Sequence, residues 1–191
     1  VYECDKYYDM SETIYLDTSD SYAKEKIDKL YEKGILNQYH DGNFYPDKNF
    51  TRGEFAKMLQ KALDLKCVST KQGFSDVGIR SRDFVAAGAL YEQGYAVGGT
   101  DAVFDGKSNI TYDDAAVIMA RVLKKYGKSE GVDLSKANLG GKAQSYAEYA
   151  VACCAELKII ENIDTYNGSL PATREDIASM LYNLLEVIGK Q

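Results

Sequence analysis

The chain has little of what catalytic and nucleic-acid-binding proteins commonly use. It has one histidine, His40, and no phosphate-binding loop, so two frequent sources of catalysis and nucleotide binding are scarce or missing. Its formal net charge is -6, whereas sequence-independent nucleic-acid binding needs a broad basic surface that displaces counterions. Its carboxylates, which could serve a glycosidase as a pair, are accounted for by helix caps and solvated helix faces. We therefore predict that the chain is not an enzyme and does not bind nucleic acid.

Cysteine is sparse as well, with four residues whose spacing is not that of a zinc site. Cys153 and Cys154 are neighbours in a predicted helix, where their side chains point about 100° apart, so we expect no bond between them. A disulfide between Cys4 and Cys67 and a set of buried free thiols both remain open. No metal or cofactor is predicted, since the acidic loop that begins at Asp41 lacks the glycine and the glutamate of a calcium-binding EF-hand.

Long apolar runs are also missing. No stretch approaches the length of a membrane-spanning helix, and the first residues do not resemble a signal peptide. Because Val1 is an unusual start, we expect the chain to be a processed or excised piece, a monomeric module of a longer polypeptide. A hydrophobic content of 45% over 191 residues is enough for a folded core.

Three similar segments recur about once every sixty residues, and the rest of the chain is arranged around them. Each begins with a threonine that is followed three residues later by an acid, which predicts a capped helix start. Apolar residues then recur at helical spacing, so each segment predicts a helix with one apolar stripe. The segments are Phe50 to Leu63 (FTRGEFAKMLQKAL), Ile110 to Leu123 (ITYDDAAVIMARVL) and Ala172 to Leu185 (ATREDIASMLYNLL).

A shorter predicted helix precedes each of these segments. Gly34 and Gly94 end the first two of these helices, whereas Lys158 stands at the same place in the third. Glycine favours the left-handed conformation that closes a helix, so the third unit is the most divergent one. The shorter helices are predicted from Ser21 to Lys33, from about Arg82 to Gln93 and from Ser145 to Leu157.

Aromatic-bearing loops join each shorter helix to its long helix. Phe44, Phe104 and Tyr166 share one loop position, and we predict that each fills the core of its own unit. A single unit of this kind buries too little apolar surface to be stable alone. We therefore predict one structural body made from residues 1–66 (an irregular leading segment and the first unit), 67–127 (the second unit) and 128–191 (a linker and the third unit).

The combined pattern resembles the S-layer homology (SLH) domain, repeated three times in tandem. The first unit has YAKEKIDKLYEKGIL, HDGNFYPDKNF and TRGEFAKML, the second has FSDV and ITYDDA, and the third has SYAEYAV and TRED. The resemblance implies an all-α, pseudo-threefold SLH trimer with a central three-helix bundle and three helix-loop lobes. It also implies a secreted, non-catalytic anchor that binds secondary cell wall polysaccharide and tethers a surface-layer or other extracellular protein to the bacterial cell wall.

The resemblance further implies a set of ligand-binding residues. The family's arginine follows the capping threonine, and here it corresponds to Arg52 and Arg174, next to Thr51 and Thr173. An early helix position combines backbone N–H groups, the helix dipole and a bidentate guanidinium, which suit a carboxylate such as that of a pyruvylated sugar. In the second unit Tyr112 replaces the arginine, so its groove lacks that charge.

The family's early tryptophan has no counterpart, because the chain contains no tryptophan. Counting back from the residue that ends each shorter helix reaches Tyr22, Arg82 and Tyr146, and a tyrosine ring there can stack on a pyranose or fill space between lobes. If each groove joins the arginine position of one repeat to the aromatic position of the next, only Arg174 with Tyr22 keeps both elements. We therefore expect that groove to be the best preserved, and Arg174→Ala to weaken wall binding more than Tyr112→Phe.

A second function stays open beside polysaccharide binding. The chain has sixteen tyrosines, a residue type that is enriched where proteins contact each other, so a protein- or peptidoglycan-interaction module of a cell-surface protein is the alternative. Binding to walls stripped of their secondary polymer would favour this alternative, and loss of binding would favour the polysaccharide.

Overall fold

The structure, a computed structural model, describes residues 14–37, 39–68, 73–97, 101–136 and 139–190. Over these ranges the chain is all-helical, with six α-helices, one short 3-10 helix and no β-strand beyond isolated bridges. The predicted all-α class is confirmed. The helices are α1 (Lys24–Glu32), α2 (Arg52–Ala62), α3 (Phe84–Glu92), α4 (Tyr112–Lys125), the 3-10 helix Leu134–Lys136, α5 (Glu148–Glu156) and α6 (Arg174–Ile188).

The three long helices α2, α4 and α6 begin as the repeated threonine and acid predict. In each, the threonine side-chain oxygen accepts a hydrogen bond from the backbone N–H of the acid three residues on, which satisfies one of the free donors of the first turn. In α2 the acid also accepts from the threonine backbone N–H, so the capping box is complete. The capping pairs are Thr51 with Glu54, Thr111 with Asp114 and Thr173 with Asp176, at 3.2, 3.1 and 3.3 Å.

The shorter helices begin two to three residues later than predicted, because a turn precedes each of them. Before α1, the Ser21 hydroxyl accepts from the backbone N–H of Ala23 at 3.2 Å, and before α3 the Ser81 hydroxyl accepts from Asp83 at 3.2 Å. Serine favours such local side-chain to backbone bonds over helical geometry. The turns therefore occupy residues that the apolar periodicity alone assigned to the helices.

A closed cycle of backbone hydrogen bonds joins the segments that enter the three long helices. The N–H of Ile110 donates to the carbonyl of Phe50, the N–H of Ala172 donates to Ile110, and the N–H of Phe50 donates to Ala172, at 2.8, 2.8 and 2.9 Å. All three residues are buried, so these bonds also satisfy backbone groups that water cannot reach. The first and third units are thereby joined as directly as consecutive units are.

The shorter helices pack on long helices of other units rather than of their own. Helix α1 packs on α6, α3 packs on α2, and α5 packs on α4, while α6 also contacts α2 and α4. Each unit thus buries its apolar stripe with help from a neighbour, as expected when one repeat alone cannot form a core. The predicted boundaries at residues 66 and 127 and the single structural body stay predictions.

The loop aromatics fill the core, as predicted. Phe44, Phe104 and Tyr166 are all buried. In the first two units an aspartate near the start of the unit accepts the backbone N–H of the loop aromatic, from Phe44 to Asp17 at 2.7 Å and from Phe104 to Asp76 at 2.8 Å. These bonds fix the loops over the ends of the long helices.

Cys153 and Cys154 are buried free thiols, so the expectation that no bond joins them is confirmed. Burial raises the pKa of the Cys154 thiol and keeps it protonated. The Cys67 sulfur lies 3.8 Å from Glu92 Oε1, and Cys4 lies outside the described residues. Within the described ranges, no helix is both long and apolar enough to cross a membrane, and no cluster of three or more His, Cys, Asp or Glu residues is arranged to hold a metal ion.

Lys158 adopts the left-handed conformation that the equivalent glycines adopt. Its φ is 59°, against 68° at Gly34 and 72° at Gly94. A residue with a Cβ is disfavoured in this conformation by about 1 kcal/mol or more. We therefore expect Lys158→Gly to raise the free energy of unfolding by about 1 kcal/mol, as measured by urea denaturation.

The matched control for that substitution is Gly94→Ala, which introduces a Cβ at φ 72°. It should lower the free energy of unfolding by about 1 kcal/mol. A Lys158→Gly protein that is no more stable than the unsubstituted chain would contradict the inferred strain.

Candidate functional site

Three clusters of polar and aromatic side chains lie where the long helices begin, each built around the acid at the third helical position. We name them by the helix that supplies this acid. In each cluster, at least one side chain from another unit donates a hydrogen bond to this carboxylate. The α2 groove contains Glu54, Arg174 and Tyr39, the α4 groove contains Asp114, Arg52 and Tyr146, and the α6 groove contains Asp176, Tyr112 and Tyr22.

The α4 groove combines a partly open arginine with an open aromatic ring. Arg52 Nη1 lies 2.6 Å from Asp114 Oδ2, and the Tyr146 hydroxyl donates to Asp114 Oδ1 at 2.9 Å. Arg52 Nε donates to the carbonyl of Phe104 at 2.8 Å, which orients the guanidinium. The Arg52 side chain is 27% exposed and Tyr146 is 57% exposed. Burial of the hydroxyl, reinforced by the hydrogen bond to Asp114, raises the pKa of Tyr146 to about 12, so it remains a neutral donor.

The α2 groove holds its arginine in a different state, because Arg174 is almost completely buried. Only 7% of Arg174 is exposed, and its Nε donates to the carbonyl of Phe44 at 2.7 Å. Its guanidinium carbon lies 4.8 to 5.0 Å from the ring centroids of Tyr39, Phe44 and Phe50, within the range of cation–π attraction. The Nη1 atom reaches Glu54 Oε1 at 3.5 Å. Arg174 is thus far less exposed than Arg52, and its role as a ligand-binding residue stays a prediction.

The α6 groove has tyrosines where the other two grooves have arginine. Tyr112 donates a short hydrogen bond to Asp176 Oδ2, and Tyr22 donates to Asp176 Oδ1 at 2.5 Å. The Thr173 hydroxyl donates to Asp176 Oδ2 at 2.6 Å. The ring of Tyr22 remains open to solvent, with 61% of the residue exposed. Burial, followed by the hydrogen bond to Asp176, raises the pKa of Tyr112 to about 12.

The pairing of side chains differs from the predicted one by one repeat. Tyr22 meets Tyr112 across Asp176, rather than Arg174, and Tyr146 meets Arg52 across Asp114, rather than Tyr112. The cause is the interlocked packing, in which the α4 and α6 grooves each receive one side chain from every unit, whereas the α2 groove receives Arg174 from the third unit and Tyr39 from its own. The groove that joins a motif arginine to a tyrosine at the predicted aromatic position is thus the α4 groove.

The backbone N–H groups at the helix starts are not available to a ligand, contrary to the expected anion site. The first two N–H groups of each long helix donate to carbonyls in the loop of another unit, and the third is capped by threonine. An anion must therefore be held by side chains alone. The bonds run from Arg52 and Gly53 to Ser108 and Gly106, from Tyr112 and Asp113 to Leu170 and Gly168, and from Arg174 and Glu175 to Lys48 and Pro46, at 2.9 to 3.2 Å.

The remaining predicted site residues are Thr51, Thr173 and Arg82, and the contacts around them are mainly those that hold the fold together. The Thr51 hydroxyl donates to Glu54 Oε2 at 2.8 Å, so it is engaged in the helix cap, as Thr173 is. Arg82 is exposed, and its neighbour Asp83 pairs with Lys57 at 2.7 Å. The sequence left open that each motif arginine pairs with an acid, but it did not indicate that the partner is the capping acid of another unit. The periodic threonine and acid signal points to the cap but carries no information about that pairing.

Comparison with known proteins agrees with this architecture. The profile of the S-layer homology domain matches residues 15–56, which identifies a domain of the S-layer homology family in this chain. It is 32% identical to Exoglucanase XynX of Acetivibrio thermocellus over 89% of this chain and 16% of that protein. It is 29% identical to the Surface-layer 125 kDa protein of Lysinibacillus sphaericus over 86% of this chain and 14% of that protein. It is 30% identical to the Cellulosome-anchoring protein of Acetivibrio thermocellus over 60% of this chain and 27% of that protein.

These matches cover a small part of each relative. The chain spans 16% of the exoglucanase and 14% of the surface-layer protein, so the resemblance to enzymes lies in the S-layer homology region. Domains of this family are cell-surface anchoring modules that bind cell-wall components. The extracellular, cell-wall location implied by the resemblance is confirmed.

We predict that the two motif arginines differ in their contribution to stability. Arg174→Ala removes the partner of the Phe44 carbonyl and the cation beside Glu54 and opens a gap among three rings, so the free energy of unfolding should fall by about 2 to 3 kcal/mol. Arg52 is more exposed, and Arg52→Ala should cost about 1 kcal/mol. Chemical denaturation of both variants measures this difference, and equal losses would contradict the buried role of Arg174.

Proposed function

We propose that this chain is a non-catalytic module that anchors a larger extracellular protein to a secondary polysaccharide of the bacterial cell wall. In this proposal the polysaccharide carries an anionic sugar, such as a pyruvylated one, that binds in the α4 groove. The pseudo-threefold arrangement around α2, α4 and α6 belongs to the same proposal, and the cycle of backbone bonds through Phe50, Ile110 and Ala172 supports it.

The observation that carries the proposal is the state of Arg52. Within the described chain its hydrogen bonds run from Nε and Nη1, so the Nη2 donors remain for a ligand. Because Asp114 and the Phe104 carbonyl hold the guanidinium in place, little side-chain entropy is lost when a carboxylate binds. The exposed ring of Tyr146 beside it offers a face for a pyranose.

The balance of charge in the α4 groove determines how strongly the groove attracts an anionic sugar. Asp114 neutralises most of the field of Arg52 at a distance of 2.6 Å, so attraction of an anion depends on directed hydrogen bonds more than on long-range steering. We expect weak binding of a single sugar and strong retention on a wall that presents many copies, because linked contacts act as intramolecular ones.

A wall pull-down tests the proposal through Arg52. Arg52→Ala removes the guanidinium donors, and we expect the dissociation constant for purified walls to rise about tenfold or more. The matched control is Arg80→Ala, which removes another exposed arginine and should leave binding unchanged. A thermal melt of each variant verifies that the protein is folded at the temperature of the assay.

Binding to walls stripped of their secondary polymer distinguishes polysaccharide anchoring from a protein- or peptidoglycan-interaction module. The proposal expects binding of the unsubstituted chain to be lost on stripped walls. Undiminished binding after stripping would overturn it and favour a protein- or peptidoglycan-interaction module. Release of soluble sugar from intact walls during the same incubation would contradict the non-catalytic assignment.

A further inference from the structure

The α6 groove opens into a cavity that no contact of the proposed anionic sugar uses. The cavity has a volume of about 340 Å³, which lies at the lower end of the range of small-molecule sites. It is lined by the loop of the third unit, by the first turns of α6, and by Tyr112 and Tyr22 from the other two units. A single pyranose residue fits a space of this size.

The charge of this cavity is opposite to what an anionic sugar requires. The lining, within the described residues, contains the carboxylates of Asp176 and Glu161 and no lysine or arginine. The nearest ammonium contact comes from Lys26, whose Nζ lies 2.6 Å from Glu161 and 3.0 Å from the Ser179 hydroxyl, so its charge is already balanced. A carboxylate placed here would face Asp176 without a compensating cation, which is costly in a partly buried site.

The hydrogen-bonding groups of the cavity suit an uncharged sugar. Tyr22 and Tyr112 both donate their protons to Asp176, and the Tyr112 oxygen also accepts from the Thr173 N–H at 3.5 Å. The Tyr22 oxygen is therefore the more open acceptor for a sugar hydroxyl group. The Oδ1 atoms of Asn162 and Asn167 accept from the Asp164 N–H and the Ser169 hydroxyl, at 3.1 and 2.9 Å. Their amide N–H groups remain as donors, and a carbonyl oxygen such as that of an acetamido group matches them.

The apolar parts of the lining fit the same ligand class. Ile159, Ile160 and Met180 line the cavity and are almost completely buried, so this part of its wall is apolar. Tyr22, whose ring is exposed, lines the same cavity and can stack on the apolar face of a pyranose.

We propose that the α6 groove binds an uncharged N-acetylhexosamine residue, so that one module reads two chemically different sugars of a wall glycan. The position after the capping threonine decides the difference, since it is Arg52 in the α4 groove and Tyr112 in the α6 groove. The inference rests on the proposed function for the glycan as a whole, while the local selectivity follows from the lining of this cavity.

Titrations of the whole chain with two defined glycosides, followed by NMR, test the inference. Methyl N-acetyl-β-D-glucosaminide is the neutral probe, and methyl β-D-glucuronide is the carboxylate probe. We expect the neutral probe to shift the side-chain amide signals of Asn162 and Asn167, and the glucuronide to shift them at least tenfold more weakly at equal concentration. Equal shifts from both probes, or none from either, would overturn the inference.

Tyr112→Arg supplies the reciprocal test, because it places an arginine beside Asp176 as Arg52 stands beside Asp114. We expect this variant to bind the glucuronide at least tenfold more tightly than the unsubstituted chain does and to lose its preference for the neutral probe. Tyr22→Ala should weaken binding of the neutral probe. Tyr149→Ala, which removes another exposed tyrosine, should leave that binding unchanged. An unchanged preference in Tyr112→Arg would overturn the assigned role of Tyr112.

Two sources of N-acetylhexosamine exist in a wall, so released secondary polymer and purified peptidoglycan strands are titrated separately. Shifts of the Asn162 and Asn167 signals with either one support the inference and identify the source, and shifts with neither overturn it. The wall assay of Arg52→Ala remains independent. If Arg52→Ala weakens wall binding while the neutral glycoside gives no shift, the selectivity of the α6 groove fails and the anchoring function stands.

Discussion

The cycle of three buried backbone hydrogen bonds is the constraint on which the rest of the structure depends. It joins Phe50, Ile110 and Ala172, which are separated by about sixty residues in sequence, and it brings the starts of α2, α4 and α6 together. Once these starts are adjacent, the free N–H groups of each helix reach the loop of another unit, and the side chain that follows each cap must cross into that unit. The grooves are a consequence of this closure and do not exist within any single repeat.

The α2 and α6 grooves each use one carboxylate for two purposes, which links stability to recognition. Glu54 accepts from the capping Thr51 and from Arg174 and Tyr39, and Asp176 accepts from the capping Thr173 and from Tyr112 and Tyr22. The same arrangement can hold a buried cation, a partly open cation or no cation, because the side chain after the cap and its neighbours vary. Arg174 shows the first state, because three rings and the Phe44 carbonyl surround it and leave 7% of the residue exposed.

Local features of this fold could be predicted, and features that depend on distant partners could not. The threonine caps, the long helices and the burial of Phe44, Phe104 and Tyr166 follow from short-range patterns, and the structure agrees with them. The starts of α1 and α3 were placed too early, because the turns at Ser21 and Ser81 compete with the helix over a few residues. The pairing of Arg174 with Tyr22 was wrong, because spacing within a repeat does not say which repeat lies opposite.

By itself, the sequence determined the helical class, the threefold repetition and the family, since these depend on periodicity and capping within a few turns of chain. Only the tertiary structure decided that Arg52 is partly open while Arg174 is buried, although both follow a capping threonine in the same motif. The physical reason is that exposure and charge balance are set by neighbours contributed from other units. For Arg174 these neighbours include Tyr39, Phe44 and Phe50, and for Arg52 they include Phe104, Asp114 and solvent.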